Sequence, residues 1–244
     1  MYICINKLAY KMKKIVLSLA VIATLTLASC GNKNADKATT TTEQEVAVEQ
    51  GDKYSVNLTE SNVTWKVGHK GGVNPRYGTL TLKAGDIAID ANGLNAGSYT
   101  IDMNSIKVDR ASVSADEDIA KLEGHLKSAD FFNVEANSTV DFKITNVEDF
   151  DAAKHTSKIE GANKVVSGNL TILGKTVNIT FPAKVTVENG KAVMDAAFVA
   201  DRTEWGLVFG TTDKDSGAAL NPADWAISQD MEIGIHLVAD KVTE

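Results

Sequence analysis

Cysteine is nearly absent: the chain holds only Cys4 and Cys30 in its 244 residues. Cys4 lies in an expected leader, so a mature chain beginning at Cys30 has no disulfide and no thiol nucleophile. Such a domain rests on its own core, and about 190 residues are enough to build one. Basic charge is also scarce, with a formal net charge of −7. Discarding Lys7, Lys11, Lys13 and Lys14 removes four positive charges from that −7 and leaves −11. An acidic domain repels phosphate backbones, which argues against nucleic acid as a partner. The four histidines, His69, His125, His155 and His236, show no H-x-x-x-H spacing, so no metal or metal cofactor is expected. Asp213-x-Asp215-x-Gly217 has its glycine misplaced for a calcium loop and reads as a solvated acidic turn. No G-x-S-x-G elbow occurs, and Gly71-Gly72 opens no helix. Aromatic residues make up 6% of the chain, which suits an interior of modest bulk.

A long hydrophobic run is missing as well. Ile15 to Ala28 is uncharged and apolar but spans 14 residues, short of the roughly 20 a membrane helix needs. Lys11, Lys13 and Lys14 precede it and Ser29-Cys30-Gly31 follows, which is the layout of a secretory signal over residues 1–29. Leu27-Ala28-Ser29-Cys30 resembles a bacterial lipobox, in which the leader is cut before the cysteine and the cysteine is acylated. An ordinary signal peptide that carries a cysteine is the other reading. Met12 suits a compact leader better than Met1. Residues 30–53, rich in Thr, Ala, Glu and Lys, read as the lipidated Cys30 followed by a flexible tether. The expectation is a domain over 54–244 at the bacterial cell envelope, held to the membrane through acylated Cys30 on its periplasmic face or outer surface.

What the sequence has in quantity is alternation. From Val177 to Val187 every odd position is apolar and the even positions are Asn178, Thr180, Pro182, Lys184 and Thr186. Period two over that length is a strand with one buried face. Leu170 and Ile172 alternate before a Gly174-Lys175 turn, giving an antiparallel hairpin. Pro182 cannot donate to a ladder and predicts an edge or a bulge. Further runs follow at Tyr54–Thr59, Val63–His69, Thr79–Asp90, Ser98–Val108, Thr139–Val147, Lys191–Ala200 and Asp230–Ala239, with a kink or bulge expected at Gly85-Asp86. Strands spaced about ten residues apart predict an all-β sandwich or barrel of eight to ten strands. One short helix interrupts them. Ser114 and Glu117 fit a capping box, Ile119, Leu122 and Leu126 recur at helical spacing, and Phe131-Phe132 is placed to anchor the helix.

Four stretches in register carry a resemblance. They are Trp65-x-Val67-x-His69, Ser128-Ala129-Asp130-Phe131-Phe132, Gly168-x-Leu170-Thr171-Ile172-x-Gly174-Lys175-Thr176, and Asp201-Arg202-Thr203-x-Trp205-Gly206. Together they make the chain resemble YceI-like proteins from about Tyr54 to Lys241; the loop Lys70–Tyr77, with Pro75 and extra glycine, departs from the pattern. The resemblance implies an extended antiparallel lipocalin-like β-barrel around a hydrophobic tunnel, non-enzymatic binding of an isoprenoid or other long-chain lipid, and no cofactor. The candidate lining residues are Trp65, Val67, His69, Phe142, Ile172, Ile179, Phe181, Arg202 and Trp205. His69 is read as a donor to a lipid head group or as a hydrogen-bonded barrel-end histidine. Arg202 either clamps an anionic head or pairs with a neighbouring carboxylate and pins its loop. Trp65 and Trp205 line the tunnel or pack in the core. Burying about ten methylenes gives ~8 kcal/mol gross, which micromolar affinity needs net, so a chain well beyond ten carbons is favoured. The alternative is a structural or adhesion module with a packed centre and function on its outer loops. An enzyme acting on a lipid would need a pocket carboxylate or histidine with a partner, and no such pair is legible. The oligomeric state is left open, a homodimer included.

Overall fold

The alternating runs turn their apolar faces inward and the sheet closes on itself, so the ring has no free strand edge. The computed structural model describes residues 35–69, 72–115, 117–211 and 226–243. The expected leader, Cys30 and the Asp213–Gly217 turn lie outside the described residues. The strands are β1 Asp36–Lys37, β2 Thr39–Thr41, β3 Asp52–Val56, β4 Asn62–Val67, β5 Arg76–Asp90, β6 Gly93–Val108, β7 Thr139–Asp149, β8 Lys164–Ile172, β9 Lys175–Glu188, β10 Lys191–Asp201 and β11 Asp230–Lys241; the helix α1 is Ile119–Lys127. β3 and β4 occupy one place in the ring, each lying between β11 and β5. With that place counted once, the barrel is an eight-membered antiparallel ring, closed where β9 pairs with β10. The end carrying α1 is here the upper end; the end carrying the β5–β6 and β9–β10 hairpins is the lower.

The turns follow from local chemistry. Leu173 and Gly174 sit at φ 52 and 74, and Asn189 and Gly190 at φ 52 and 75. Two successive positive φ values make the turn that matches strand twist. The first hairpin therefore turns one residue earlier than expected, and Lys175 already pairs with Ile172. No bulge lies at Gly85-Asp86, which pair regularly with Tyr99 and Ser98; the irregularities fall between Thr79 and Thr81, Leu82 and Ala84, and Ala88 and Ile89. Gly85 serves close approach instead: a Cβ there would meet the Tyr99 Cβ and Val56 at 2.9 Å. The helix cap also differs. Asp118 is the N-cap, its side chain accepting from the Lys121 N–H at 3.2 Å. Glu117 is drawn off to Arg76, 2.7 Å away, so the expected Ser114 box does not form.

Val177, Ile179, Phe181, Ala183 and Val185 are buried, as alternation requires, while Val187 is 38% exposed. Away from the helix end, Ile87, Ile89, Leu94, Val166, Met194 and Leu237 are buried in the core. Tyr99 stacks on Phe142 at 5.1 Å, Phe142 meets Phe181 at 5.9 Å, and Phe181 stacks on Phe198 at 4.4 Å. This aromatic row crosses the barrel and forms a floor.

The described part of the expected tether, 35–53, is laid along the barrel wall. β1 pairs in parallel with β10 at Phe198 and Val199, and β2 pairs antiparallel with β9 from Thr180 to Asn178. Beyond them the chain is held by two asparagines. The Asn169 amide accepts from the Gln44 N–H at 3.0 Å and donates to the Gln44 carbonyl at 2.7 Å. Asn95 treats Gln50 the same way, at 3.2 and 2.7 Å. The Ala47 N–H donates to the Ile144 carbonyl, beside the register shift between Ile144 and Asn146. A Thr- and Glu-rich segment with little to bury is thus fixed by backbone partners.

Candidate functional site

Above the aromatic floor the barrel is hollow. The cavity holds about 300 Å³, room for about ten groups of water or methylene size at ~30 Å³ each. Its wall is almost entirely hydrocarbon. β6 contributes Ile101, Met103 and Ile106, β11 contributes Met231, Ile233 and Ile235, and α1 closes the top with Leu122 and Leu126. These residues sit there because period two on the strands and period 3.6 on the helix each send one apolar face to the same centre.

Polar groups gather at the upper rim. Arg76 pairs with Glu117 at 2.7 Å and donates to the Ser112 carbonyl at 3.0 Å. His125 Nε2 lies 3.0 Å from Asp130 Oδ2, and its ring meets Phe131 and Phe209 edge-on at 5.1 Å. His69 stands at the end of β4, bridged to Ile227, with its backbone N–H donating to Val73.

Arg202 is buried under the upper end. Its guanidinium donates to the carbonyls of Ser228, Leu207, Phe209 and Ile227. Among the described residues carbonyls hold it, in place of the expected carboxylate, and it pins the loop through them. Burial lowers its pKa to about 10, so it stays charged at neutral pH. The neighbouring Asp201 carboxylate acts in the opposite sense and favours the charged form.

Two further wall groups stand out. Tyr99 is fully buried, and desolvation raises its phenol far above the ordinary value. Among the described residues the buried Trp65 indole N–H has no hydrogen-bond partner, a cost of about 1–3 kcal/mol.

Trp65, Val67, His69, Phe142, Ile172, Ile179 and Arg202 all border the cavity. Phe181 lies in the floor, and Trp205 is buried outside the cavity with its N–H donating to the Leu170 carbonyl at 2.8 Å. The sequence reading passed over Tyr99, Leu207 and Phe209. Tyr99 had a usable signal, since it shares the parity of the inward Ile101 and Met103. His125 borders the cavity and pairs with Asp130, and these two side chains are 41% and 56% exposed.

Comparison with known proteins agrees with this geometry. The sequence pattern of the YceI-like domain matches residues 54–239. A UPF0312 protein of Pseudomonas aeruginosa is 34% identical over 94 residues, covering 36% of this chain and 44% of that one. A UPF0312 protein of Shewanella baltica is 29% identical over 128 residues, covering 52% and 58%. The chain thus spans about half the length of the curated relatives it matches. Among solved structures, a polyisoprenoid binding domain from Saccharophagus degradans superposes with a TM-score of 0.52 at 17% identity, over 81% of this chain and all of that one. Burkholderia cenocepacia BcnA gives 0.50 at 18% identity, over 75% and 99%. At these identities the likeness concerns the fold.

Proposed function

The chain belongs to the YceI-like family, and from that premise we propose that it binds the hydrocarbon part of an isoprenoid or similar long-chain amphiphile without catalysing a reaction. The observation that carries this reading is the 300 Å³ cavity walled by aliphatic and aromatic side chains above a closed floor. A polyisoprenoid binding domain shares the fold, and the family fold is a binding one. The same cavity weighs against the alternative of an adhesion module with a packed centre. The site of action we infer is the bacterial envelope, with acylated Cys30 as the membrane attachment.

The volume sets the scale of recognition. About ten methylenes fit, worth ~8 kcal/mol gross at ~0.8 kcal/mol each before association costs. Affinity for a series of chains should rise about fourfold per added carbon up to about ten carbons and then level off. Titration with alkyl or prenyl alcohols of increasing length checks this. A flat series, or gently purified protein that carries no lipid by native mass spectrometry and takes up none, would overturn the reading.

A further inference from the structure

Below Ala183 and Ala196, β9 and β10 pair directly; above that level they part. Their separation has a cause in the sequence. The Ala183 carbonyl accepts from the Asn163 N–H, on the side away from β10. By the alternation of an antiparallel strand, Pro182 then faces β10, with no N–H to offer it. The ladder stops there, and residues 36–41 fill the gap: Thr39, Thr40 and Thr41 pair with β9, Asp36 and Lys37 with β10, and the Ala38 N–H donates to Val199. Two of the residues flanking this segment, Ile179 and Phe198, are also walls of the cavity.

We propose that residues 36–41 form a detachable stave whose withdrawal opens a slit in the barrel side, through which a hydrocarbon chain enters the cavity from a lipid surface. The inference rests on the lipid-binding reading above. Its grounds are three. The stave is held by little apolar contact, since Ala35 and Ala38 are the only buried apolar side chains from 35 to 41. It is tied at both ends by hydrogen bonds that water can replace: the Asn169 amide grips Gln44, while upstream Asp36 accepts from the Lys158 N–H and the Ser157 hydroxyl at 2.8 and 3.2 Å, and the Lys158 ammonium donates to the Ala35 carbonyl at 2.8 Å. Its departure leaves the Ser167–Thr180 hydroxyl pair intact at 2.7 Å, and the ladder groups it frees on β9 and β10 face the open slit, where water can meet them. A slit one strand wide is about 5 Å, enough for a single chain whose carbons pack at about 4 Å.

The test locks the stave. Thr39 and Thr180 are directly paired across β2 and β9, a spacing a disulfide accepts. In a Cys4→Ser/Cys30→Ser background, a Thr39→Cys/Thr180→Cys protein should take up polyprenol from phosphatidylcholine vesicles about tenfold or more slowly when oxidised than when reduced. Equal rates overturn the stave while leaving lipid binding intact. If neither form takes up polyprenol, the lipid-binding reading fails instead. Hydrogen exchange on the parent protein then decides the stave separately: the Ala38 amide should exchange at least about tenfold faster than those of Met194 and Ala196, and equal protection overturns the proposal.

Discussion

Tyr99 carries a measurable signature of its burial. Its phenol keeps its proton in the folded protein at a pH where the unfolded chain, with an ordinary value near 10, has lost it. The folded state then binds more protons than the unfolded one, so stability falls as pH rises above about 10, by up to ~1.4 kcal/mol per pH unit. Urea unfolding across that range should show the slope, and Tyr99→Phe should remove this residue's share. Residues of this kind also show where the sequence reading stops. Alternation tells which face of a strand a residue occupies but not how high along the barrel it stands. Phe181 and Ile179 share a face on β9, yet Ile179 borders the cavity and Phe181 lies in the floor beneath it. Arg202 illustrates a second limit. Its carbonyl partners are set by the loop backbone, which no residue pattern announces.

At the scale of elements, the strands and the short helix were legible because periodicity reports them directly, and α1 came out nine residues long as its Gly124 and few apolar positions suggested. Its cap was misplaced because two acidic residues compete near it, and Arg76, on a distant strand, takes Glu117. Asp118→Ala should therefore cost about 1 kcal/mol and speed exchange of the first-turn amides of α1, whereas Ser114→Ala should leave both nearly unchanged. Denaturation curves with amide exchange separate the two. The segment 35–53 was the least legible part. Its composition is that of a solvated linker, and what fixes it are Asn169 and Asn95, far along the chain. Nothing within the segment itself points to either.

Across the whole barrel, packing is uneven: a buried hydrophobic cluster below the Tyr99–Phe142–Phe181–Phe198 row, and a cavity above it. Ligand binding should stabilise the folded state by mass action, about 2.7 kcal/mol at a hundredfold excess over Kd. The added protection should fall mainly on upper-half amides such as those around Met103 and Ile233. Thermal unfolding and exchange with and without a bound alkyl chain check both parts; uniform protection would contradict the division. The floor has one more consequence. Because the aromatic row bounds the cavity from below, a hydrocarbon chain lodged there would enter and leave through the same half of the barrel.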